Sequence, residues 1–364
     1  MNQHTVQSPA HSGQRRITIM AGGTGGHIFP GLAVASELLS RGIEVRWLGT
    51  PHGLENRLVP AAGIALDRVE IKGLRGRGLL GWLMAPVRIL KAVMQAFSIL
   101  KQQQPDCVLS MGGYAAGPGG IAARLRGIAL VIHEQNAIAG WTNRLLAPLA
   151  RFRCSGFPGV FTQARVTGNP VRPAIAALPA PTARYVDRTG PIRILVIGGS
   201  QGALALNQAV PAALALIDPD QRPIVRHQAG RTLDTAKAQY AARGVEGEVV
   251  EFIDDMPTAW GWADLAICRA GALTVAELAA AGVPAVLVPF PAAVDDHQAA
   301  NARYLSEADA AWLIRQDDLE AASLASLISK LTRDDLLEKA LRARALSRPE
   351  AAADVAAACQ EAMR

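Results

Sequence analysis

The sequence predicts an α/β fold of two Rossmann-like domains, each with a parallel sheet, that face a shared central cleft. Three observations predict it: the length of 364 residues, the alternation of short apolar runs with helical segments, and two similar glycine-rich turns. The turns read GGTGGH at 22–27 and GGSQG at 198–202, each after an apolar run and before a helical segment. Such turns present backbone N–H groups and a helix N-terminus to an anion. A chain of this length favours two domains.

Five strand–helix pairs are expected in the first half. The strands are the apolar runs at 17–20, 43–48, 67–71, 107–110 and 128–133, and the helices lie at 28–40, 53–61, 82–103, 115–126 and 138–149. Pro30 suits a first helical turn, and Gly42 suits the position after that helix ends. Strict alternation predicts a parallel sheet covered on both faces.

The second half repeats this plan. Its strands are expected at 192–197, 224–227, 249–253, 265–268, 285–288 and 310–314, with helices at 203–216, 273–281, 297–306 and 349–364. The stretch 170–191 is rich in Pro and Ala and has no clear period, so we expect a linker or hinge there. The predicted domains are residues 1–171 and 172–348.

Composition limits the classes of partner. The formal net charge of +6 and the pI near 9.4 favour an anionic partner. Aromatic residues make up only 5% of the chain and do not alternate with basic ones, which disfavours nucleic acid. The four cysteines form no C-x-x-C pair, so no zinc site or disulfide framework is predicted. No apolar run approaches the roughly 18 residues of a membrane span, so we expect a soluble or membrane-attached protein.

The first glycine-rich turn differs from the dinucleotide-binding fingerprint, because Ile28 stands where the third glycine belongs. Its glycine density still permits close approach of a ligand to the backbone. Thr24 can donate a hydroxyl. His27 falls at the helix start, where a neutral imidazole can act as a general base. The alternative is a histidine that only caps or supports the turn.

The second turn also matches G-x-S-x-G, the nucleophile elbow of serine hydrolases. Asp264 and His297 follow Ser200 in the order of a hydrolase triad. Three fixed positions are weak evidence, and Ser200 can equally donate its hydroxyl to a phosphate. The hydrolase hypothesis also gives the first glycine-rich turn no role.

A third loop reads RAGALTVAE at 269–277, after a predicted strand and at the start of a helix. Open α/β sheets bind ligands at this carboxyl edge, so its N–H groups can hold a diphosphate. Glu277 can accept hydrogen bonds from ribose hydroxyls, or it can be a solvated helix residue.

Polar clusters mark further candidate positions. HEQN at 133–136 follows a strand, and Arg172 of GNPVR can neutralise phosphate. The run DDHQ at 295–298 resembles a metal cluster, but its spacing does not suit one helix face. Gln298, whose amide both donates and accepts, suits sugar hydroxyls better.

The segment 73–101 combines apolar bulk with Lys and Arg and contains no acidic residue. This pattern favours contact with an anionic membrane surface. A plain amphipathic packing helix is the alternative.

In combination these motifs are specific. Seven motifs follow one another along nearly the whole chain: GGTGGH, GGY at 112–114, HEQN, GNPVR, GGSQGA at 198–203, RAGALTVAE and DHQ at 296–298. The sequence thereby resembles the MurG family of bacterial cell-wall glycosyltransferases. These enzymes transfer N-acetylglucosamine from UDP-N-acetylglucosamine to the undecaprenyl-pyrophosphoryl muramyl-pentapeptide, lipid I, and form lipid II.

The resemblance implies a GT-B fold whose last helix returns to the N-terminal domain. It implies a donor site with UDP-N-acetylglucosamine held mainly by the C-terminal domain, at Thr24, Gly25, Gly26, Asn136, Arg172, Ser200, Ile253, Ala272, Leu273, Thr274, Val275, Ala276, Glu277 and Gln298. Thr24, Gly25, Gly26 and Asn136 would come from the opposite domain. The acceptor's diphosphate would lie at Gly22, Gly23, Gly112, Gly113 and Tyr114.

The resemblance also implies an inverting reaction that needs no metal or other cofactor. His27 is the first candidate for the base that deprotonates the acceptor hydroxyl, and Glu134 is the second. The protein would lie on the cytoplasmic face of the inner membrane through residues 73–101, with cell-wall synthesis or division proteins as further partners. A catalytically inactive nucleotide-sugar-binding scaffold is the non-enzymatic alternative.

Overall fold

The computed structural model describes residues 14–71, 84–199 and 201–364. Its contacts divide the chain into two compact units. In the described residues, the first unit comprises the chain up to Glu134 together with Gly140–Cys154 and Ala352–Arg364, and the second comprises Gln135–Ala139 and Ser155–Ala351. Both are α/β units with parallel strands, so the predicted fold class is confirmed.

The first sheet has the strand order β3-β2-β1-β4-β5-β6-β7 in the described residues. Its strands are β1 (Arg16–Ala21), β2 (Glu44–Gly49), β3 (Ala65–Arg68), β4 (Cys107–Gly112), β5 (Ala129–Glu134), β6 (Phe152–Ser155) and β7 (Arg165–Val166). Neighbours from β3 to β5 pair in parallel. The strand order reverses direction between β1 and β4, which is where open α/β sheets bind ligands. The sequence did not predict β6 and β7, which are short and partly exposed.

The strands of the first unit alternate with α1 (Gly25–Ser40), α2 (Glu55–Ala61), α3 (Ala85–Gln103), α4 (Ala116–Leu125) and α5 (Trp141–Leu146). Gly42 ends α1 as predicted: its φ is +74°, and Ile43 N–H donates to Leu38 O over 3.1 Å. The first-turn position predicted for Pro30 is wrong, because α1 begins within the glycine-rich turn and Pro30 lies inside the helix. Among the described helices, none is long and apolar enough to cross a bilayer.

In the described residues the second sheet has the order β10-β9-β8-β11-β12-β13, and its neighbouring strands pair in parallel. Its strands are β8 (Arg193–Ile197), β9 (Ile224–Gln228), β10 (Glu248–Val250), β11 (Leu265–Cys268), β12 (Ala285–Leu287) and β13 (Ala311–Leu313). Alternate residues enter different cores: Leu195 packs in one cluster, whereas Ile194 and Val196 pack in another. Both sheet faces are therefore covered, as the alternation of strands and helices predicts.

Helices cover this sheet in the following order: α6 (Pro173–Ala176), α7 (Pro181–Tyr185), α8 (Leu204–Ala215), α9 (Leu233–Ala242), α10 (Met256–Trp262), α11 (Ala272–Ala281), α12 (His297–Ser306), α13 (Ala321–Lys330) and α14 (Arg333–Ala345). The switch point of the second sheet lies between β8 and β11. The loops that follow these two strands are the second glycine-rich turn and the loop RAGALTVAE.

The Pro- and Ala-rich stretch before β8 is fastened to the second unit. Arg184 donates to the carbonyl oxygens of Ala281 and Gly282 over 2.5 and 2.7 Å. Tyr185 donates its hydroxyl to Asp264 O over 2.8 Å, and Arg188 forms an ion pair with the buried Asp264 carboxylate. Side chains at 184–188, within the stretch expected to be a linker or hinge, are therefore bonded to the second unit.

The last helix, α15 (Ala351–Ala362), packs in the core of the first unit. Val355 and Cys359 are fully buried beside β1 and β4 residues. Arg151 donates to Ala362 O over 3.1 Å, and Arg41 donates to Gln360 Oε1 over 2.7 Å. The first unit thus needs residues from both ends of the described chain.

Candidate active site

Two glycine-rich loops meet at the switch point of the first sheet. Residues 22–27 follow β1, and Gly112–Tyr114 follow β4. Gly113 has a φ of +85°, and a Cβ added to it would lie 2.5 Å from Gly22 O. The two loops therefore pack backbone against backbone, which only glycine allows at this position. Tyr114, which follows them, is exposed.

His27 is the third residue of α1 and lies against the second loop. A Cβ on Gly112 would be 3.2 Å from Cε1 of His27. Thr24 is the N-cap residue but makes no side-chain cap, and the N–H groups of Gly25 and Gly26 precede the repeating helical bonds. A helix N-terminus, two glycine loops and an imidazole are thus gathered in one place, which suits an anion next to a proton acceptor.

Glu134, the second candidate base, is buried at the end of β5. One carboxylate oxygen, Oε2, accepts from Gly140 N–H over 3.1 Å and from Asn143 Nδ2 over 3.0 Å. Asn143 in turn accepts from the Ser110 hydroxyl over 3.0 Å. These bonds shape the chain between β5 and α5, so the geometry favours a positioning role for Glu134 over proton transfer.

The second glycine-rich turn, which follows β8 in the second unit, is held by Gln228 at the carboxyl end of β9. Gln228 Oε1 accepts from Gly199 N–H over 3.0 Å, and its Nε2 donates to Gly199 O over 3.1 Å. Gly202 has a φ of +81°, and a Cβ there would lie 2.2 Å from Thr232 Oγ1. An amide side chain therefore holds Gly199, and close packing surrounds Gly202. Ser200 lies outside the described residues.

A buried polar network lies behind this loop. His227 contacts Tyr240 Oη through Nδ1 at 3.1 Å and Asn207 Oδ1 through Nε2 at 3.0 Å. Asn207 Nδ2 donates to Thr232 Oγ1 over 2.7 Å. Burial lowers the pKa of His227 to about 4, so the imidazole is neutral near pH 7.

We expect this histidine to make stability depend on pH. The unfolded chain protonates His227 near pH 6.5, so the unfolded state binds more protons as pH falls from about 6.5 towards 4. The contribution of the neutral His227 to the free energy of unfolding is therefore fully present above about pH 6.5. This free energy should fall by about 2 kcal/mol between pH 7 and pH 5. The free energy of unfolding, measured in urea, should not show this decrease in the His227→Gln variant. It should still decrease in His52→Gln, which changes an exposed histidine. Equal pH dependence in wild type and His227→Gln would contradict the prediction.

The third loop leads into α11, whose N-cap Gly271 offers no side-chain cap. The N–H groups of Ala272, Leu273 and Thr274 thus open the helix, in a geometry that suits a diphosphate.

On the next turn, Glu277 Oε2 accepts from Trp260 Nε1 over 3.1 Å. Its Oε1 accepts from Arg172 Nη2 over 3.0 Å. Arg172 and Glu277, predicted for phosphate and ribose, are therefore neighbours. Val275 is fully buried, so its side chain faces the core.

Gln298 connects two loops of the second unit. Its Oε1 accepts from Ala270 N–H over 3.2 Å and from Phe290 N–H over 2.9 Å. In the described part of the chain its Nε2 has no hydrogen-bond partner, so this amide has a donor to offer to a sugar. Arg269 instead stabilises the scaffold, because it donates to Val288 O, Pro289 O and Gln316 Oε1.

Asn136 and Ile253 complete the candidate donor residues. The contacts of residues 135–139 place them in the second unit. There Asn136 Oδ1 accepts from Asn301 Nδ2 over 3.2 Å. Asn301 also accepts from Ala137 N–H over 2.8 Å. Ile253 follows β10 and is half-buried against the core of this unit. Ala276, inside α11, is partly exposed.

The position of Asp264 does not support the hydrolase triad suggested by the order Ser200, Asp264, His297. Asp264 lies at the amino edge of the sheet, since its N–H donates to Arg193 O at the start of β8. The glycine-rich turn follows the other end of that strand. Asp264 is also buried in ion pairs with Arg188 and Arg333. Across the described ranges, no group of three or more His, Cys, Asp or Glu residues is arranged to hold a metal ion.

Part of the predicted membrane segment, residues 73–83, lies outside the described residues. The remainder falls on α3, where the apolar residues Val87, Leu90 and Met94 are 58%, 61% and 66% exposed. Lys91 on this helix pairs with Glu70 over 3.1 Å. An exposed apolar face with basic residues beside it is therefore present on α3.

Sequence reasoning missed the residues that support the loops. Gln228, Trp260 and Asn301 each bond to a predicted site residue or its loop. Gln228 could have been identified from the sequence, because it is a polar residue directly after an apolar run. Trp260 and Asn301 lie on helices, and no sequence pattern marks them as site residues.

Family models match both halves of the chain. The glycosyltransferase family 28 N-terminal domain matches residues 17–152, and the family 28 C-terminal domain matches residues 193–356. Neither the hydrolase nor the scaffold alternative receives support from these matches.

Similar proteins extend over nearly the full length. A protein of Bordetella petrii named UDP-N-acetylglucosamine--N-acetylmuramyl-(pentapeptide) pyrophosphoryl-undecaprenol N-acetylglucosamine transferase is 55% identical over 96% of this chain and 98% of its own. One of the same name from Alkalilimnicola ehrlichii is 55% identical over 96% and 99%. The crystal structure of Acinetobacter baumannii MurG is 42% identical, with a TM-score of 0.84 over 95% of this chain and 99% of that one.

Proposed function

The chain belongs to glycosyltransferase family 28, in its MurG branch, and on that premise we propose the reaction that it catalyses. It transfers N-acetylglucosamine from UDP-N-acetylglucosamine to lipid I and forms lipid II in peptidoglycan synthesis. The observation that carries this function is the pair of glycine-rich loops at the two switch points, within a chain that is 55% identical to transferases named for this reaction.

The second unit is the proposed donor site. The opening N–H groups of α11 and the Arg172 guanidinium supply positive charge for the diphosphate. Glu277 accepts from the ribose hydroxyls, in exchange for its bond with Arg172. Gln298 Nε2 donates to the sugar, Ile253 meets the uracil through its backbone, and Asn136 adds an amide beside Asn301.

The first unit is the proposed acceptor site. The resemblance places Gly25 and Gly26 at the donor, but we assign the N–H groups at the start of α1, together with the loop Gly112–Tyr114, to the acceptor's diphosphate. His27 takes the proton from the attacking sugar hydroxyl as that oxygen forms a bond to the anomeric carbon. The bond from this carbon to the UDP oxygen breaks at the same time, which inverts the anomeric centre. The cationic groups around the diphosphate stabilise the departing UDP.

Membrane attachment is part of the proposal. Lipid I carries a polyprenyl chain, so an enzyme that uses it must work at a bilayer surface. The exposed apolar residues of α3, with Arg88 and Lys91 beside them, suit an anionic leaflet. We assign the protein to the cytoplasmic face of the inner membrane on this basis, with cell-wall synthesis and division proteins as candidate partners.

A transfer assay tests the function. Purified protein is incubated with UDP-N-acetylglucosamine labelled in the sugar and with a lipid I analogue, and the lipid fraction is counted. Label should enter the lipid fraction only when the acceptor is present, one sugar for each UDP released. Label that appears as free sugar without acceptor would contradict transfer and indicate hydrolysis. UDP binding with no turnover on the lipid I analogue would indicate the inactive scaffold instead.

A further inference from the structure

The first unit contains a buried carboxylate, Glu55, on α2. Its side chain is fully buried. Oε2 accepts from Gly23 N–H over 3.0 Å, and Oε1 accepts from Thr50 N–H over 2.9 Å and from Thr50 Oγ1 over 2.7 Å. In the described part of the chain no Lys or Arg pairs with it. Burying a carboxylate costs free energy, and these three hydrogen bonds offset that cost.

Three glycines enclose this carboxylate. A Cβ on Gly22, Gly49 or Gly53 would lie 2.8, 2.7 or 1.9 Å from an atom of the Glu55 side chain. None of these glycines has a left-handed φ, so they are needed here for space and not for conformational freedom. The pocket is therefore shaped to hold this one side chain under the first glycine-rich turn.

The hydrogen bond to Gly23 connects the carboxylate to the candidate acceptor site. Gly23 has a φ of +94°, and its N–H points to Glu55, so it is not available to a ligand. The preceding residue, Gly22, packs its carbonyl against Gly113 of the second loop. The neighbour of Gly113, Gly112, packs against the His27 imidazole. A shift of Gly23 would thus move the surfaces of both loops.

We propose that Glu55 is a positioning residue that fixes the first glycine-rich turn in the shape that the acceptor's diphosphate requires. The inference rests on the proposed function of the first unit. The role is geometric, because a negative charge beneath the turn repels a phosphate. By holding Gly23 inward, Glu55 leaves the N–H groups of Gly25 and Gly26 as the anion donors at the start of α1.

The Glu55→Gln variant tests this role. Glutamine has the same shape but only one acceptor oxygen, so its NH₂ group must face the N–H of either Gly23 or Thr50. We expect KM for a lipid I analogue to rise about tenfold, while KM for UDP-N-acetylglucosamine and UDP affinity stay within about twofold. Glu37→Gln, at a surface position of α1, is the matched control and should change neither KM.

The outcomes separate the inference from the function on which it rests. If wild-type protein transfers no sugar, the proposed function fails. If it does, and Glu55→Gln leaves acceptor KM unchanged or raises both KM values equally, the positioning role is wrong. If Glu55→Gln loses UDP binding through misfolding, Thr50→Val replaces it, since it removes one of the three donors and keeps the carboxylate. Acceptor KM alone should then rise about threefold, and an unchanged acceptor KM or an equal rise of the donor KM would overturn the inference.

Discussion

Replacing His27 by alanine should lower kcat about 10²- to 10⁴-fold, with UDP affinity unchanged. This range is the usual contribution of a general base. The expectation rests on position: His27 stands at the start of α1, against Gly112 and beside two glycine loops that suit an anion. UDP affinity should persist because the proposed diphosphate, ribose and uracil contacts lie in the second unit. Steady-state transfer kinetics and UDP titration measure the two quantities separately.

The control for this variant is His52→Ala, which removes an exposed histidine of the same unit and should retain wild-type turnover. Turnover of His27→Ala within about threefold of wild type would remove His27 from the role of base. Loss of UDP binding along with turnover would instead point to a structural role. Glu134 is a poorer candidate, since its carboxylate is buried and already accepts from Gly140 and Asn143.

The Gly202→Ala substitution should weaken UDP binding at least about tenfold. A left-handed residue other than glycine costs about 1–2 kcal/mol, and forced overlap in a packed region costs about 1–3 kcal/mol. Both apply here, because Gly202 has a φ of +81° and an added Cβ would lie 2.2 Å from Thr232 Oγ1 and 2.6 Å from Ala229 O. The glycine-rich turn must then leave the shape that Gln228 holds. Isothermal titration with UDP measures the loss.

Gly244→Ala separates the two costs. Gly244 also has a positive φ, +59°, but an added Cβ would have no atom within 4 Å. This variant should lose about 1–2 kcal/mol of stability with UDP affinity unchanged. If Gly202→Ala and Gly244→Ala bind UDP equally well, the second glycine-rich turn is not part of the donor site.

The strand, turn and helix units were predictable because each depends on local pattern. The run 17–20 and the glycines after it form one such unit, and 192–197 with its glycines forms another. Each structural strand begins within two residues of its expected start at these sites. The parallel order and the switch points follow once alternation is recognised, so the three candidate ligand-binding loops could be selected from the sequence.

Other features depend on contacts that linear order does not reveal. Asp264 suited a triad by order alone, but it lies at the amino edge of the sheet and pairs with Arg188. The stretch 170–191 has the composition of a linker, although Arg184 fastens it to Ala281 and Gly282. The burial of Glu55 could not be predicted, because three glycines at 22, 49 and 53 enclose it only after folding.

The placement of α15 has a consequence for synthesis on the ribosome. The core of the first unit includes Val355 and Cys359, which are translated after all of Ser155–Ala351. At about 5–20 residues per second, the nascent first unit waits roughly 10–40 s for its missing helix. The second unit is nearly continuous in sequence, so all of its residues exist before α15 has been made. A released chain that ends at residue 351 should therefore contain a protease-resistant second unit and a protease-sensitive first one.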